Sequence, residues 1–149
     1  TVFDGYLGTD NSDLFSNDGY FHTGDLVELC GEPPLFYRIA GRCKDIINRG
    51  GMKISPVEID VLLEGLPSSV ESAVCAYQDD LMGEKVCACV VVNPETDDLN
   101  LQDIANFLLD QGLAKFKLPE GIAFFESLPR NPLGKVQRFI LEALVSQRH

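Results

Sequence analysis

The sequence predicts an α+β domain: a small three-stranded sheet covered by helices, preceded by a glycine hairpin and a loop-rich β segment. Three observations carry this. Apolar, β-branched runs over Val70–Tyr77, Lys85–Asn93 and Ile122–Phe125 read as strands. Apolar residues recur at helical spacing over 101–108 and again over 136–145. Between hairpin and sheet, Ser55-Pro56-Val57-Glu58 writes a helix start, with a hydroxyl at the N-cap, proline at the first helical position and glutamate three residues past the cap.

Taken in order, residues 1–40 are rich in Gly, Asp, Asn and Ser, with short hydrophobic pieces such as Tyr20-Phe21 and Leu26-Val27-Glu28-Leu29, and read as loops and hairpin strands without a core of their own. Leu35–Ala40 is a strand that stops at Gly41, and Arg42–Lys44 is a charged junction. Ile46-Ile47 and Met52-Lys53-Ile54 flank Asn48-Arg49-Gly50-Gly51, a tight hairpin with positive φ at its glycines. The helix from Pro56 is expected to bury Val57, Val61, Leu62 and Leu66 and to stop at Gly65. Gln78–Glu84 reads as an acidic loop, Lys85–Asn93 as the more central strand and Pro94–Asp98 as a polar turn. Asn100 with Asp103 caps a helix carrying Leu101, Ile104, Ala105 and Leu108 and ending by Gly112. Ala114–Pro119 is a basic, aromatic connector, and the last helix is expected to turn Phe139, Ile140 and Leu144 inward. There is no internal repeat and no low-complexity segment.

At 149 residues and 45% apolar content the chain has the size and core of one domain. It has no apolar run near the ~20 residues that cross a bilayer and no signal peptide at its start, so a cytoplasmic protein without a membrane span is expected. A formal charge of −11, from 23 acidic and 12 basic residues, repels polyphosphate backbones and argues against nucleic acid as a partner. The five cysteines show no CxxC pair, so neither a zinc site nor a disulfide framework is expected. Cys87 and Cys89 alternate within an apolar run, as small hydrophobes on one side of a buried strand. His22 has no sequence neighbour that makes it a general base.

Three stretches carry a resemblance. Gly41-Arg42-Cys43-Lys44-Asp45 leads through the glycine hairpin into the capped helix, Tyr20-Phe21-His22-Thr23-Gly24-Asp25 precedes it, and Pro129-Arg130-Asn131-Pro132-Leu133-Gly134-Lys135 follows. In type, order and rough spacing they resemble the hinge, the aromatic-x-TGD and the C-terminal P-x-x-x-x-GK motifs of the acyl-adenylate-forming, AMP-dependent synthetases and ligases. That superfamily holds acyl- and aryl-CoA synthetases, nonribosomal adenylation domains and firefly luciferase. The resemblance covers nearly the whole chain. It implies that residues 1–41 are the C-terminal edge of the large AMP-binding domain and residues 42–149 the small C-terminal lid. The ATP-phosphate loop and the acyl pocket would then lie upstream, and this stretch alone is expected to be inactive.

The resemblance also implies roles. Asp25, a carboxylate in a turn, would grip the ribose diol of ATP or AMP. The planar fork of Arg42 would reach the ribose or phosphate oxygens. Lys44 stands at the hinge, where a few residues able to change φ and ψ let the lid pivot. Gly51 would lie beside the pantetheine arm, where the lack of a side chain permits close approach. Lys135, carried in a flexible Asn131–Gly134 loop, would contact the substrate carboxylate and the α-phosphate as charge moves toward pyrophosphate. Leu133 stands where the family usually has Ser or Thr, which would lose a hydroxyl contact. No metal ligand is assigned, since Mg²⁺ would be bound mainly by the large domain. Arg49, Lys115, Lys117, Arg130 and Arg138 are candidates for CoA phosphates or for the face meeting that domain. The implied activity is ATP-dependent acyl-CoA synthesis from a carboxylic acid and CoA. The alternatives are an adenylation unit loading an aryl or amino acid onto a carrier-protein phosphopantetheine, and a non-catalytic binding module.

Overall fold

The computed structural model describes residues 7–8, 10–11, 13–33, 35–94 and 99–147. The chain divides into two compact units, Thr1–Lys44 and Asp45–His149. In the first, β1 (Asp25–Cys30) pairs antiparallel with β2 (Phe36–Arg42), in a register that runs from Asp25 opposite Arg42 to Cys30 opposite Phe36. Val27, Leu29, Phe36, Tyr37 and Ile39 all stay exposed on this ribbon. Among the described residues, every buried hydrophobic side chain lies at Ile47 or beyond.

The second unit is built on one sheet. β3 (Ile47–Arg49) and β4 (Met52–Ile54) form the glycine hairpin, with Gly50 at φ 54° and Gly51 at φ 87°. Positive φ at both central residues is the twist that suits a two-residue hairpin turn. β5 (Ser69–Asp79) and β6 (Gly83–Val92) form a long antiparallel pair, and β7 (Gly121–Phe124) runs parallel to β6. These last are the three strands expected from the sequence. The hairpin extends them to five through the pair Arg49–Gly83, in the order β4-β3-β6-β5 with β7 also on β6. The expected acidic loop shrinks to a turn over 80–82, because Gln78, Asp79 and Glu84 continue the ladder.

Strand periodicity splits the core into two layers. On one face Val74, Val86, Ala88 and Val90 pack with Ile47 and Ile54 of the hairpin, Ile59 and Leu63 of α1 (Pro56–Leu63) and Ile104 and Leu108 of α2 (Leu101–Asp110). On the other, Ala73, Cys75, Cys87 and Cys89 pack with Leu128 and with Leu141 and Val145 of α3 (Arg138–Ser146). No disulfide joins the cysteines, and the Cys75 and Cys89 sulfurs lie 3.6 Å apart. Both thiols are held above their ordinary range, Cys75 first by its hydrogen bond with Cys87, Cys89 first by that with Cys75, and both also by burial. Leu141 is fully buried at the centre of this layer. Leu141→Ala should cost about 3 kcal/mol in urea unfolding, whereas a loss below about 1 kcal/mol would mean that the layer closes over the cavity.

Two helix faces differ from expectation. In α1 the buried residues are Pro56, Ile59 and Leu63; of those expected inward, Leu66 just past the helix is buried and Leu62 packs partly against the core, while Val61 is 59% exposed. Apolar residues run almost all round that helix, so spacing alone does not choose a face. In α3 the inward pair is Leu141 and Val145, and Phe139 is 66% exposed. Ser55 occupies the N-cap of α1 without a side-chain cap hydrogen bond. Glu58 instead takes both of its oxygens to Lys117 Nζ, at 2.7 and 2.6 Å. The capping box at α2 does form, Asn100 accepting from the Gln102 and Asp103 N–H groups and Asp103 from Asn100 N–H.

The free edge of β5 is closed by a clamp. Asp60 of α1 accepts from Val74 N–H at 2.8 Å, Arg138 of α3 donates to the Val74 carbonyl at 2.6 Å, and Arg138 also donates to Asp60. The outward N–H and carbonyl of one residue at the middle of an edge strand, otherwise open to pairing with another chain, are thus both occupied.

Candidate functional site

Within the first unit, Gly24 turns the chain at φ 73° and Asp25 opens β1, its N–H donating to Thr23 Oγ1 at 3.1 Å. The β1–β2 register puts Arg42 directly across from Asp25. Arg42 Nε donates to Asp25 Oδ1 at 2.9 Å and Nη2 donates to the Thr23 carbonyl at 2.9 Å, while Cys43 N–H donates to the Gly24 carbonyl at 2.8 Å. Both side chains are more than a third exposed. The result is an exposed carboxylate in a turn that its own arginine holds still. Lys44 is exposed within the short 3-10 turn Cys43–Asp45.

Within the second unit, Gly51 sits at the tip of the glycine hairpin. A Cβ built there would meet nothing within 4 Å, so the tip faces open space. The loop before α3, expected from the sequence to be flexible, is closed by hydrogen bonds. Asn131 Oδ1 accepts from the N–H groups of Leu133 and Lys135, Asn131 N–H donates to the Lys135 carbonyl, and Arg130 Nη1 donates to the Gly134 carbonyl at 2.7 Å. The backbone that carries Lys135 is therefore a set turn, presenting the lysine at the surface. Leu133, at the turn's apex, is also exposed.

Gly51 and Lys135 are not brought together. Gly50, beside Gly51, donates to the Met82 carbonyl past one end of β5, whereas the Lys135 turn is tied by Arg130 to Glu71 near the other. The eight steps from Glu71 to Asp79 along β5, at about 3.3 Å each, put those ends about 26 Å apart.

Four of the five cations proposed for phosphates have carboxylate partners within their own domain. Arg49 pairs with Glu120, Lys117 with Glu58, Arg130 with Glu71 and Arg138 with Asp60. Lys115 instead lines a cleft of about 580 Å³ together with Phe116, Arg49, Glu120, Leu101 and Ala105. The acid partners were missed because they lie far along the chain, and only the fold places them. Among the described residues no group of three or more His, Cys, Asp or Glu could hold a metal ion, so they offer Mg²⁺ no ligand cluster. Among the same residues no helix is long and apolar enough to cross a membrane.

A turn-held carboxylate, a glycine hairpin and a lysine turn are thus strung in this order along an α+β chain. Residues 58–135 match the family described as the AMP-binding enzyme C-terminal domain, and the chain belongs to it. It is 37% identical over 90% of its length to the vibriobactin-specific 2,3-dihydroxybenzoate-AMP ligase of Vibrio cholerae, covering 24% of that protein. It is 35% identical over 99% of its length to the medium-chain fatty-acid–CoA ligase of Escherichia coli, covering 26% of it. Among solved structures, ATP-bound MatB from Rhodopseudomonas palustris superposes with a TM-score of 0.78 at 36% identity, over 91% of this chain and 26% of that one. The chain spans about a quarter of the length of these relatives.

Proposed function

We propose that this chain forms the hinge and mobile C-terminal lid of an ATP-dependent acyl-CoA synthetase. Residues 1–41 are the edge of its large domain, residues 42–149 are the lid, and Lys44, which closes the first compact unit, is the pivot. The observation that carries this reading is the separation of Lys135 and Gly51 to opposite ends of one sheet. A lid that acts with one end and then the other needs that arrangement.

In the first step a carboxylate oxygen of the substrate acid attacks the α-phosphorus of ATP. A P–O bond forms, the bond to pyrophosphate breaks, and pyrophosphate leaves with the electron pair. The Lys135 ammonium stabilises the charge that moves across the phosphates. Asp25, steadied by Arg42, accepts from the ribose hydroxyls. After the lid turns, the sulfur of CoA attacks the acyl carbon. The C–S bond forms, the C–O bond to AMP breaks, AMP leaves as the anion, and the thiol proton goes to solvent. Gly51, with no side chain, lets the pantetheine arm pass. Mg²⁺, ATP and the acid are held mainly by the large domain, and the protein works in the cytoplasm.

The relative named as a vibriobactin-specific 2,3-dihydroxybenzoate-AMP ligase, a name that mentions the adenylate and no CoA, is the observation that favours a second reading. In that reading we place the acyl group on a carrier-protein phosphopantetheine instead of CoA. Incubating the full-length protein with ATP, Mg²⁺ and octanoate, salicylate, 2,3-dihydroxybenzoate or oxalate, with and without CoA, separates the two. Acyl-CoA product is expected with at least one acid. Pyrophosphate release without a CoA thioester would move the assignment to carrier loading. No pyrophosphate release with any acid of a wider panel would overturn both.

A further inference from the structure

The glycine hairpin joins the main sheet through the pair Arg49–Gly83, yet its tip is held from three sides. Gly50 N–H donates to the Met82 carbonyl at 2.7 Å. A Cβ at Gly50 would lie 2.7 Å from Met82 Cε, so the methionine side chain rests on the glycine itself. Asn48 N–H donates to Glu84 Oε2 at 2.6 Å. From the other side, Arg49 Nε and Nη2 donate to the two oxygens of Glu120, at 2.6 and 3.0 Å.

These supports are themselves anchored. Asp79 Oδ1 accepts from the N–H groups of Leu81 and Met82, and Asp79 Oδ2 lies 2.6 Å from Lys85 Nζ, which sets the turn that carries Met82. Glu120 N–H donates to the Val86 carbonyl, tying that residue to the central strand. Arg49 and Glu120 are 20% and 31% exposed at their side chains, and the fork geometry is bidentate, the arrangement in which an arginine pair is geometrically specific. The hydrogen bonds from Arg49 hold the Glu120 carboxyl below the usual carboxylate range, so the pair is charged at neutral pH. A Cβ built on Gly51, next to all of this, would meet nothing within 4 Å.

We propose that Glu120, through Arg49 and together with the Met82 turn, is a positioning residue that fixes the Gly50–Gly51 tip for the thiol-transfer step. The inference rests on the reading of Gly51 given above. A tip joined to the sheet by one residue pair would swing on its two glycines. Braced, it offers the incoming thiol arm one fixed edge, and an ångström of misplacement in such a site is costly. The brace makes no contact with the Lys135 turn, which is held at the other end of β5, so it serves only one half-reaction.

The test uses the full-length protein carrying Glu120→Ala, Glu120→Gln, or the charge swap Arg49→Glu with Glu120→Arg. Two readouts are taken. Amide exchange should quicken about tenfold at Gly50, Gly51 and Met52 in Glu120→Ala, while the amides of β5 and β6 keep their wild-type rates. Thioester formation from supplied octanoyl- or salicyl-adenylate, whichever acid is activated, should fall about tenfold, chiefly as a rise in KM for CoA. Adenylate formation should change less than about twofold, the charge swap should recover most of the loss, and Glu120→Gln, whose amide can accept only one of the two Arg49 hydrogen bonds, should recover part of it. Unchanged exchange at the tip, or equal losses in both half-reactions, would overturn the proposal. Should wild-type protein form adenylate but pass it to neither CoA nor pantetheine, the thiol-transfer reading itself fails, and the exchange arm still decides whether the brace exists.

Discussion

Lys135→Ala in the full-length enzyme is expected to lower adenylate formation by about 10²- to 10³-fold, the range seen when a preorganised electrostatic contact to a developing charge is removed. Thioester formation from a supplied acyl-adenylate should stay within about threefold of wild type. The asymmetry follows from the placement of the lysine. Asn131, Gly134 and Arg130 set its turn at the Glu71 end of β5, far from the hairpin tip where the thiol arm is proposed to pass. Because that turn is already organised, removing the ammonium removes charge without loosening the loop. Single-turnover assays of the two half-reactions check this, with pyrophosphate release for the first and thioester appearance for the second. Equal losses in both would sink the two-state lid.

Arg138→Leu should cost about 2 kcal/mol of stability at pH 7, somewhat below the loss expected when one partner of a fully buried, hydrogen-bonded pair is removed, because this pair is part-buried. Arg138 and Asp60 are 17% and 22% exposed at their side chains, and they also satisfy the carbonyl and the N–H of Val74, respectively. Without the guanidinium, Asp60 is left charged in a site whose burial already raises its pKa, against the pull of Arg138 and of Val74 N–H. The penalty therefore depends on pH with a definite sign. In the variant the folded-state pKa of Asp60 rises further above its unfolded value of about 3.9. The folded form then holds its proton more tightly, so the cost is present at pH 7 and shrinks as pH falls through that raised pKa. Urea unfolding at pH 7 and pH 5 measures it, and a cost that grew on acidification would contradict the assignment of the loss to Asp60.

Much of the fold was legible because its signals are local. The Gly50–Gly51 turn, the Asn100–Asp103 capping box, the stop at Gly112 with φ 86° and the strands of 70–77, 85–93 and 122–125 each depend on residues a few positions apart. The turn that holds Asp25 was legible for the same reason, since Thr23, Gly24 and Asp25 are neighbours. That Arg42 would be spent on Asp25 and on the Thr23 carbonyl was not, because it depends on the register of two strands.

The helix faces show where local signals run out. Val61 is as apolar as Ile59 and Leu63, and only the position of the sheet leaves it exposed while those two are buried and Leu62 packs partly against the core. The sequence by itself determined the kind and order of the elements, the glycine turns and the motif residues Asp25, Arg42, Gly51 and Lys135. The tertiary structure alone decided which helix faces are buried, that the hairpin joins the sheet at Arg49, and which carboxylate each cation meets. The physical reason is distance along the chain. Arg49 and Glu120 are 71 residues apart and Asp60 and Arg138 are 78, so no local propensity connects them. Their pairing follows from two hydrophobic layers closing on the sheet, which carries those side chains to one another.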